Sequence, residues 1–132
     1  MAFLSDEVFD SGLDNLSGLS PTARIDITVG EATDYTQATG TYNGTTQLSA
    51  GNETGLTIPA AAAGSPSGRG VTIPAITVGD VTATQTATHW ALTDGSAVLW
   101  ATGTLTASQA VTTGNTFTLD AITIVLIDAV EV

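Results

Sequence analysis

Apolar and polar residues alternate with two different periods along this chain. Near the N-terminus, Phe9, Leu13 and Leu16 follow one another at i, i+4 and i+7, which is the spacing of one helix face. From Arg24 onward the period changes to two, since Ile25, Ile27 and Val29 alternate with polar residues. The pattern predicts a short helix from about residue 5 to 12–16, followed by a β-strand.

The N-terminal segment, residues 1–20, differs from the rest of the chain and is treated as a unit before a β domain of residues 21–132. Ser5 precedes Asp6 and Glu7, an N-cap followed by acids in the first helical turn. Two interpretations stay open. The helix either caps one end of the β core or anchors the protein by ordering against a partner.

The second half of the chain predicts several short strands. Val71–Val78 is a strand pattern with an edge or bulge at Pro74, and Gly79-Asp80 indicates a turn. Residues 87–102 predict a hairpin around Asp94-Gly95, and Leu105 and Val111 frame the next predicted turn. A bulge is expected near Asp120-Ala121. Seven or more strands at roughly ten-residue spacing are typical of an all-β, antiparallel β-sandwich.

The middle of the chain is less regular. Residues 30–55 are polar and contain several glycines, so two weak strands or one long excursion both fit the pattern. Residues 59–70 contain alanines bounded by Pro59, Gly64 and Pro66, and this composition indicates a flexible loop.

Composition adds limits on function. The chain has 132 residues and a net charge of −11, with 13 acidic residues against Arg24 and Arg69. This balance works against binding nucleic acid or an anionic membrane. There is no cysteine and one histidine, which disfavours thiolate chemistry and multi-histidine metal centres. The first residues are acidic rather than basic, so no secretory signal is expected.

Candidate catalytic residues are few, and we expect no enzyme, cofactor or metal. His89 lies between small residues of a predicted strand and is interpreted as structural rather than catalytic. The carboxylates are dispersed, apart from those at the helix start, and form no calcium loop.

Two questions of side-chain burial follow from the same pattern. Trp90 and Trp100, on the two arms of the hairpin, are expected to form a buried cross-strand cluster, with a carbohydrate platform as the alternative. Arg69 falls in the predicted loop, where it is either solvated or paired with an acidic neighbouring subunit.

Three stretches carry a resemblance to a known group of proteins. They are Ala2–Leu13, the run Val71–Asp94 that ends in Ala87-Thr-His-Trp-Ala-Leu-Thr-Asp94, and Leu105–Leu119, in which Gln109-Ala-Val-Thr-Thr-Gly-Asn115 falls. These stretches resemble small virion proteins of tailed bacteriophages, of the head decoration (cement) type. The likeness covers the first dozen residues and about 68–126, whereas residues 30–60 depart from it.

The resemblance implies a structural virion protein on the outer surface of a phage head, assembled in the bacterial cytoplasm. Its expected partners are the major capsid protein and further copies of itself, as a trimer or dimer. Candidate contacts with capsid or subunit are the apolar residues of the N-terminal segment and one arginine: Phe3, Leu4, Phe9, Leu13, Leu16 and Arg69. The alternative is a tail- or fibre-associated domain that binds host glycans, and a small hydrolase ranks last.

Overall fold

The computed structural model describes residues 6–65 and 67–127, with side chains from Gly12 onward. The described residues form two helices and nine strands. In chain order these are α1 (Asp6–Ser17), β1 (Ala23–Thr28), α2 (Tyr35–Thr39), β2 (Ser49–Leu56), β3 (Ala62–Ala63), β4 (Arg69–Ile73), β5 (Ile76–Val81), β6 (Gln85–Thr93), β7 (Leu99–Val111), β8 (Thr116–Leu119) and β9 (Ile122–Leu126).

The strands form two antiparallel sheets, which confirms the prediction of an all-β, sandwich-like fold. The larger sheet has six strands in the order β7-β6-β1-β2-β5-β8, and the smaller one has the order β3-β4-β9. Strand β1 lies in the middle of the larger sheet, where Ile25 pairs with Glu53 on one side and Leu92 on the other.

The two sheets are joined at a corner, where two neighbouring strands leave one sheet and enter the other. Ile73 pairs with Ile122 in the smaller sheet, and Ile76 pairs with Leu119 in the larger one. Pro74, which has no N–H to donate, and the dipeptide Asp120-Ala121 occupy the breaks between these pairs. Both predicted irregularities therefore belong to this corner.

Several predicted boundaries are wrong in detail. Gly79-Asp80 continues strand β5 instead of turning, and Arg69 begins strand β4 instead of lying in a loop. The turn predicted between Leu105 and Val111 is absent, and both residues belong to one 13-residue strand, β7. In place of a turn, the pairing of β7 with β6 has an irregularity between Ala87 and His89.

One apolar core lies between the sheets and helix α1. Ile25, Ile27, Ile73 and Leu92 are fully buried in it. Leu13 and Leu16 of α1 are 4% and 8% exposed and belong to the same core, with α1 packing mainly against β4. Helix α1 therefore caps the β core, as in the first of its two interpretations.

The segment between β1 and β2 covers the opposite face of the larger sheet. It contains the one-turn helix α2, whose N-cap Asp34 accepts a hydrogen bond from the backbone N–H of Gln37 at 2.9 Å. Small side chains make the contact with the sheet: Ala32, Ala38 and Ala91, with Leu48 and Leu99 at the margin. The first part of the polar middle is therefore an excursion that folds back over the sheet, and the part from Ser49 onward is strand β2.

The predicted hairpin is present as β6 and β7. Asp94 closes its loop, since its Oδ1 accepts from the backbone N–H groups of Ser96, Ala97 and Val98 at 2.9, 2.8 and 3.0 Å. These backbone hydrogen bonds, that of Val98 first, lower the pKa of Asp94 to about 2. The hairpin loop is thus held by its own first residue.

Candidate functional site: the cleft between strands β7 and β8

The larger sheet curls until its two edge strands approach each other. Strands β7 and β8 stand at opposite ends of the strand order. The side-chain Nε2 of Gln109 on β7 nevertheless donates a hydrogen bond to the backbone oxygen of Thr118 on β8, at 2.9 Å. This bond spans the gap between the two edges, so a side chain joins them at this point.

Strand β7 leaves its partner β6 next to this gap. Ala87 pairs with Gln109, but His89 pairs with Thr104, so the four residues 105–108 lie opposite Thr88 alone. Such a wide irregularity bends the strand, and its side chains no longer point alternately to the two faces of the sheet. The displaced stretch forms one wall of a cleft, and the corner at Asp120-Ala121 forms the other.

The cleft has a volume of about 300 Å³. Its lining combines apolar and polar side chains: Trp90, Thr104, Leu105, Thr106, Ala107, Gln109, Leu119, Asp120, Ala121 and Ile122. Asp120 is the one charged residue among them. This mixture is typical of sites for small ligands, which join an apolar surface to a few polar groups.

Trp90 is held in the cleft by a glycine on the neighbouring strand. Gly103 pairs with Trp90, and a Cβ at position 103 would lie 2.7 Å from the indole atoms Nε1, Cε2 and Cζ2. Any side chain there would displace the ring, so Gly103 allows the indole to lie against the backbone of β7. Trp90 is 8% exposed, which confirms its predicted burial.

The indole N–H of Trp90 stays accessible, although most of the side chain is buried. Among the described residues, no group accepts a hydrogen bond from it, and Thr82 Oγ1 is the one buried side-chain nitrogen or oxygen that lacks a partner. The indole nitrogen is therefore not sealed in the core, and the cleft is the open space that Trp90 lines. Trp90, Gln109 and Asp120 thus line the same cleft.

Trp100 does not join Trp90, and the prediction of a buried pair is wrong for this residue. Leu92 pairs with Ala101 and Thr93 pairs with Leu99, so Trp100 is the extra residue of a β-bulge. The bulge breaks the alternation that would have turned the ring inward. Trp100 is 43% exposed and Val98, at the same end of the hairpin, is 45% exposed.

A buried charge pair lies on the other face of the sheet, under α2. Arg24 donates to Asp26 through Nε at 2.8 Å and Nη2 at 2.7 Å, and Nη2 also donates to the backbone oxygen of Thr39 at 3.0 Å. Ser49 Oγ donates to Asp26 Oδ1 at 2.7 Å. These four groups connect β1 and β2 to the last residue of α2.

Burial and pairing act in opposite directions on the two charged groups. Burial raises the pKa of Asp26, and the hydrogen bonds and charge of Arg24 oppose this shift without cancelling it. Burial would lower the pKa of Arg24, but the hydrogen bond and charge of Asp26 outweigh it and raise that pKa. The pair is structural, because α2 and the sheet enclose it.

His89 is hydrogen-bonded to its neighbour in sequence. Thr88 Oγ1 donates to the backbone oxygen of Val29 at 2.9 Å and lies 2.8 Å from His89 Nδ1. With the hydroxyl proton on Val29, Nδ1–H of His89 donates to Thr88. In the part of the chain that the structure describes, no group of three or more His, Asp or Glu residues could hold a metal ion.

The residues predicted to contact a partner differ in where they lie. Phe3 and Leu4 lie outside the described residues, as does the side chain of Phe9. Leu13 and Leu16 face the chain's own core, so they could reach a second subunit only by leaving it. Arg69 is half-buried at the start of β4 and donates to the backbone oxygen of Ala61 at 3.2 Å.

Sequence reasoning missed the cleft residues Gly103, Leu105, Gln109 and Asp120 as a group. One signal existed, since the alternation breaks at Asp120-Ala121. The displaced stretch of β7, Leu-Thr-Ala-Ser at 105–108, falls where the sequence pattern suggests a turn, so its place inside a strand is not predicted.

None of the helices within residues 6–65 and 67–127 is both long and apolar enough to span a membrane. No protein family, curated protein or solved structure matches this chain.

Proposed function

We propose that this chain is a structural virion protein, a decoration protein that binds the outer surface of a phage head and stabilises the shell. The supporting structural observation is the exposed end of the β6–β7 hairpin. There the bulge turns Trp100 outward beside Val98, and Asp94 fixes the loop between the two strands. A rigid, exposed tryptophan is the kind of residue that contributes most to protein interfaces.

Charge supports a basic region of the major capsid protein as the partner of this hairpin. The chain has a net charge of −11, and Arg24 is already paired with Asp26. Long-range attraction to a basic shell would speed binding and weaken as salt rises. Trp100 would supply the apolar contact that persists at high salt.

Stabilisation of the shell would follow from mass action. A protein that binds assembled capsid and not dissociated subunits shifts the equilibrium toward the capsid, by about 2.7 kcal/mol per site at a free concentration of 100 Kd. Binding as a dimer or trimer at a symmetry axis of the shell would add avidity, because the second contact becomes intramolecular. The protein would then reside on the virion after assembly in the host cytoplasm.

Co-sedimentation with purified empty capsids tests this proposal. We expect the wild-type protein to sediment with capsids, and Trp100→Ser to lose at least tenfold in affinity while keeping the circular dichroism of the fold. Val78→Ser is the matched control, since Val78 is 66% exposed on β5, away from the hairpin. Absence of wild-type binding would contradict the function, and full binding by Trp100→Ser would contradict the assigned surface.

The alternative function is a tail- or fibre-associated domain that recognises host glycans. Exposed Trp100 also favours this alternative, because a flat aromatic ring can stack on a sugar. Binding of the labelled protein to host cells and isolated tails, compared with empty capsids, separates the two functions.

A further inference from the structure

We propose that the cleft between β7 and β8 binds one neutral sugar unit, a function separate from capsid attachment through Trp100. Its volume of about 300 Å³ lies at the lower end of small-molecule sites. A single pyranose ring suits such a space better than a peptide strand or a lipid chain. The site is built by the curl of the larger sheet and is independent of the exposed hairpin end.

The polar groups of the cleft select the ligand chemistry. Trp90 offers a donor through its indole N–H, whereas the Asp120 carboxylate and Gln109 Oε1 offer acceptors. Gln109 is oriented by its bond from Nε2 to Thr118, which leaves its oxygen available to a ligand. Sugar hydroxyls both donate and accept, so they can satisfy both kinds of group at once.

The apolar walls and the charge exclude other ligand classes. Leu105, Leu119 and Ile122 present surface to the C–H face of a ring. No lining residue is positively charged, so a phosphate or carboxylate would meet Asp120 without a counter-ion. An ammonium group could pair with Asp120 but, having no acceptor, would leave the Trp90 N–H unsatisfied. A neutral polyol can serve both the donor and the acceptors.

NMR of the indole N–H of Trp90 is the direct test. Trp100→Phe identifies the Trp90 resonance, because these are the two tryptophans of the chain. The probes are glucose, galactose and N-acetylglucosamine, titrated separately up to ~50 mM. At least one is expected to shift the Trp90 resonance with a dissociation constant on the order of 1 mM, as for a ligand of about a dozen heavy atoms.

Two rim variants locate the binding in the cleft. Asp120→Ala should weaken it at least tenfold, with Asp80→Ala, an exposed acid on β5, as its control. Ala107→Phe should fill the cleft and abolish the shift, with Ala60→Phe, at another exposed alanine, as its control.

Three outcomes would overturn the proposal. The first is that none of the three sugars shifts the Trp90 resonance. The second is that the shift persists in both Asp120→Ala and Ala107→Phe. The third is that N-acetyl-lysine methylamide shifts it while the sugars do not, which would identify a cationic side chain as the occupant. Capsid co-sedimentation of the same variants shows separately whether the decoration function holds.

Discussion

The larger sheet is covered on its two faces by different means. The smaller sheet and helix α1 together cover one face, and α1 contributes leucines, among them Leu13 and Leu16, to the core that contains Ile25 and Ile27. The α2 excursion covers the other face with alanines and encloses the Arg24–Asp26 pair. Strand β1 contributes to both faces, because its residues alternate between them.

The two coverings differ in how strictly they require exact geometry. Apolar burial is not directional, so the α1 face gains stability from contact area alone. The α2 face depends on hydrogen bonds whose partners must be within about 3 Å and correctly aligned. Losing one partner on the α2 face leaves another group buried and unsatisfied, whereas losing one leucine removes only its own contribution.

Deleting residues 1–20 should have the largest effect. The deletion removes Leu13, Leu16 and Leu19 from the core. At about 1.5–3 kcal/mol for each buried side chain, the loss approaches the whole stability of a typical domain, ~5–15 kcal/mol. We expect loss of cooperative thermal unfolding by circular dichroism. A truncated protein that unfolds at the wild-type temperature would show that α1 adds nothing to the core.

Asp26→Ala should have the second-largest effect on stability. The substitution leaves Arg24 half-buried without its carboxylate and Ser49 Oγ without an acceptor. Breaking a buried pair in this way typically costs about 3–5 kcal/mol, which urea denaturation would measure.

The double variant Arg24→Leu/Asp26→Leu sharpens this test. Because no charge is then left unpaired, we expect it to recover much of the stability that Asp26→Ala loses. A double variant less stable than Asp26→Ala would contradict this expectation, because it would show that the unpaired charge of Arg24 is not the main cost of removing Asp26.

The pH dependence of stability should show the smallest effect. The pKa of Asp26 is raised in the folded state, so its contribution is fully present below its unfolded pKa of about 3.9 and is lost as pH rises through the folded pKa. Asp94 acts in the opposite direction. Its pKa is lowered to about 2, so its contribution is present above its unfolded pKa and is lost as pH falls through about 2.

Comparing Asp26→Asn and Asp94→Asn with the wild type isolates the two titrations. We expect the difference in stability from wild type to change with opposite slopes in the two variants between pH 2 and pH 6, by urea unfolding. Slopes of the same sign would contradict the burial of Asp26 or the hairpin cap of Asp94.

The two coverings also differ in how far the sequence predicts them. The period of Phe9, Leu13 and Leu16 and the alternation at Ile25 and Ile27 follow from burial on one face, so α1 and β1 are correctly predicted. An excursion is one of the two alternatives that the sequence leaves open, but helix α2 is not predicted, because alanine and threonine carry little periodic signal. The burial of Asp26 is not predicted either, because Asp26 looks like a solvent-facing residue of an alternating strand. Asp26 is buried because the α2 excursion folds back over strand β1, and the sequence of β1 does not show this.

The cleft is unpredictable for a related reason. Gln109 and Thr118 are near in sequence but belong to opposite edges of the larger sheet, and they meet because four intervening strands curl. The bulge that exposes Trp100 is a further case, since one extra residue reverses the side on which every later residue lies. Local patterns predict the strands, whereas the closure of the sheet decides what the strands bring together.

The bond between Gln109 and Thr118 also bears on how this protein behaves at high concentration. Strand β7 is 13 residues long and would otherwise offer a row of unpaired backbone groups to any neighbouring chain. The curl directs both edges of the larger sheet toward each other, which limits edge-to-edge pairing between molecules. Gln109→Ala would open this closure, and the resulting protein should aggregate faster than the wild type when concentrated.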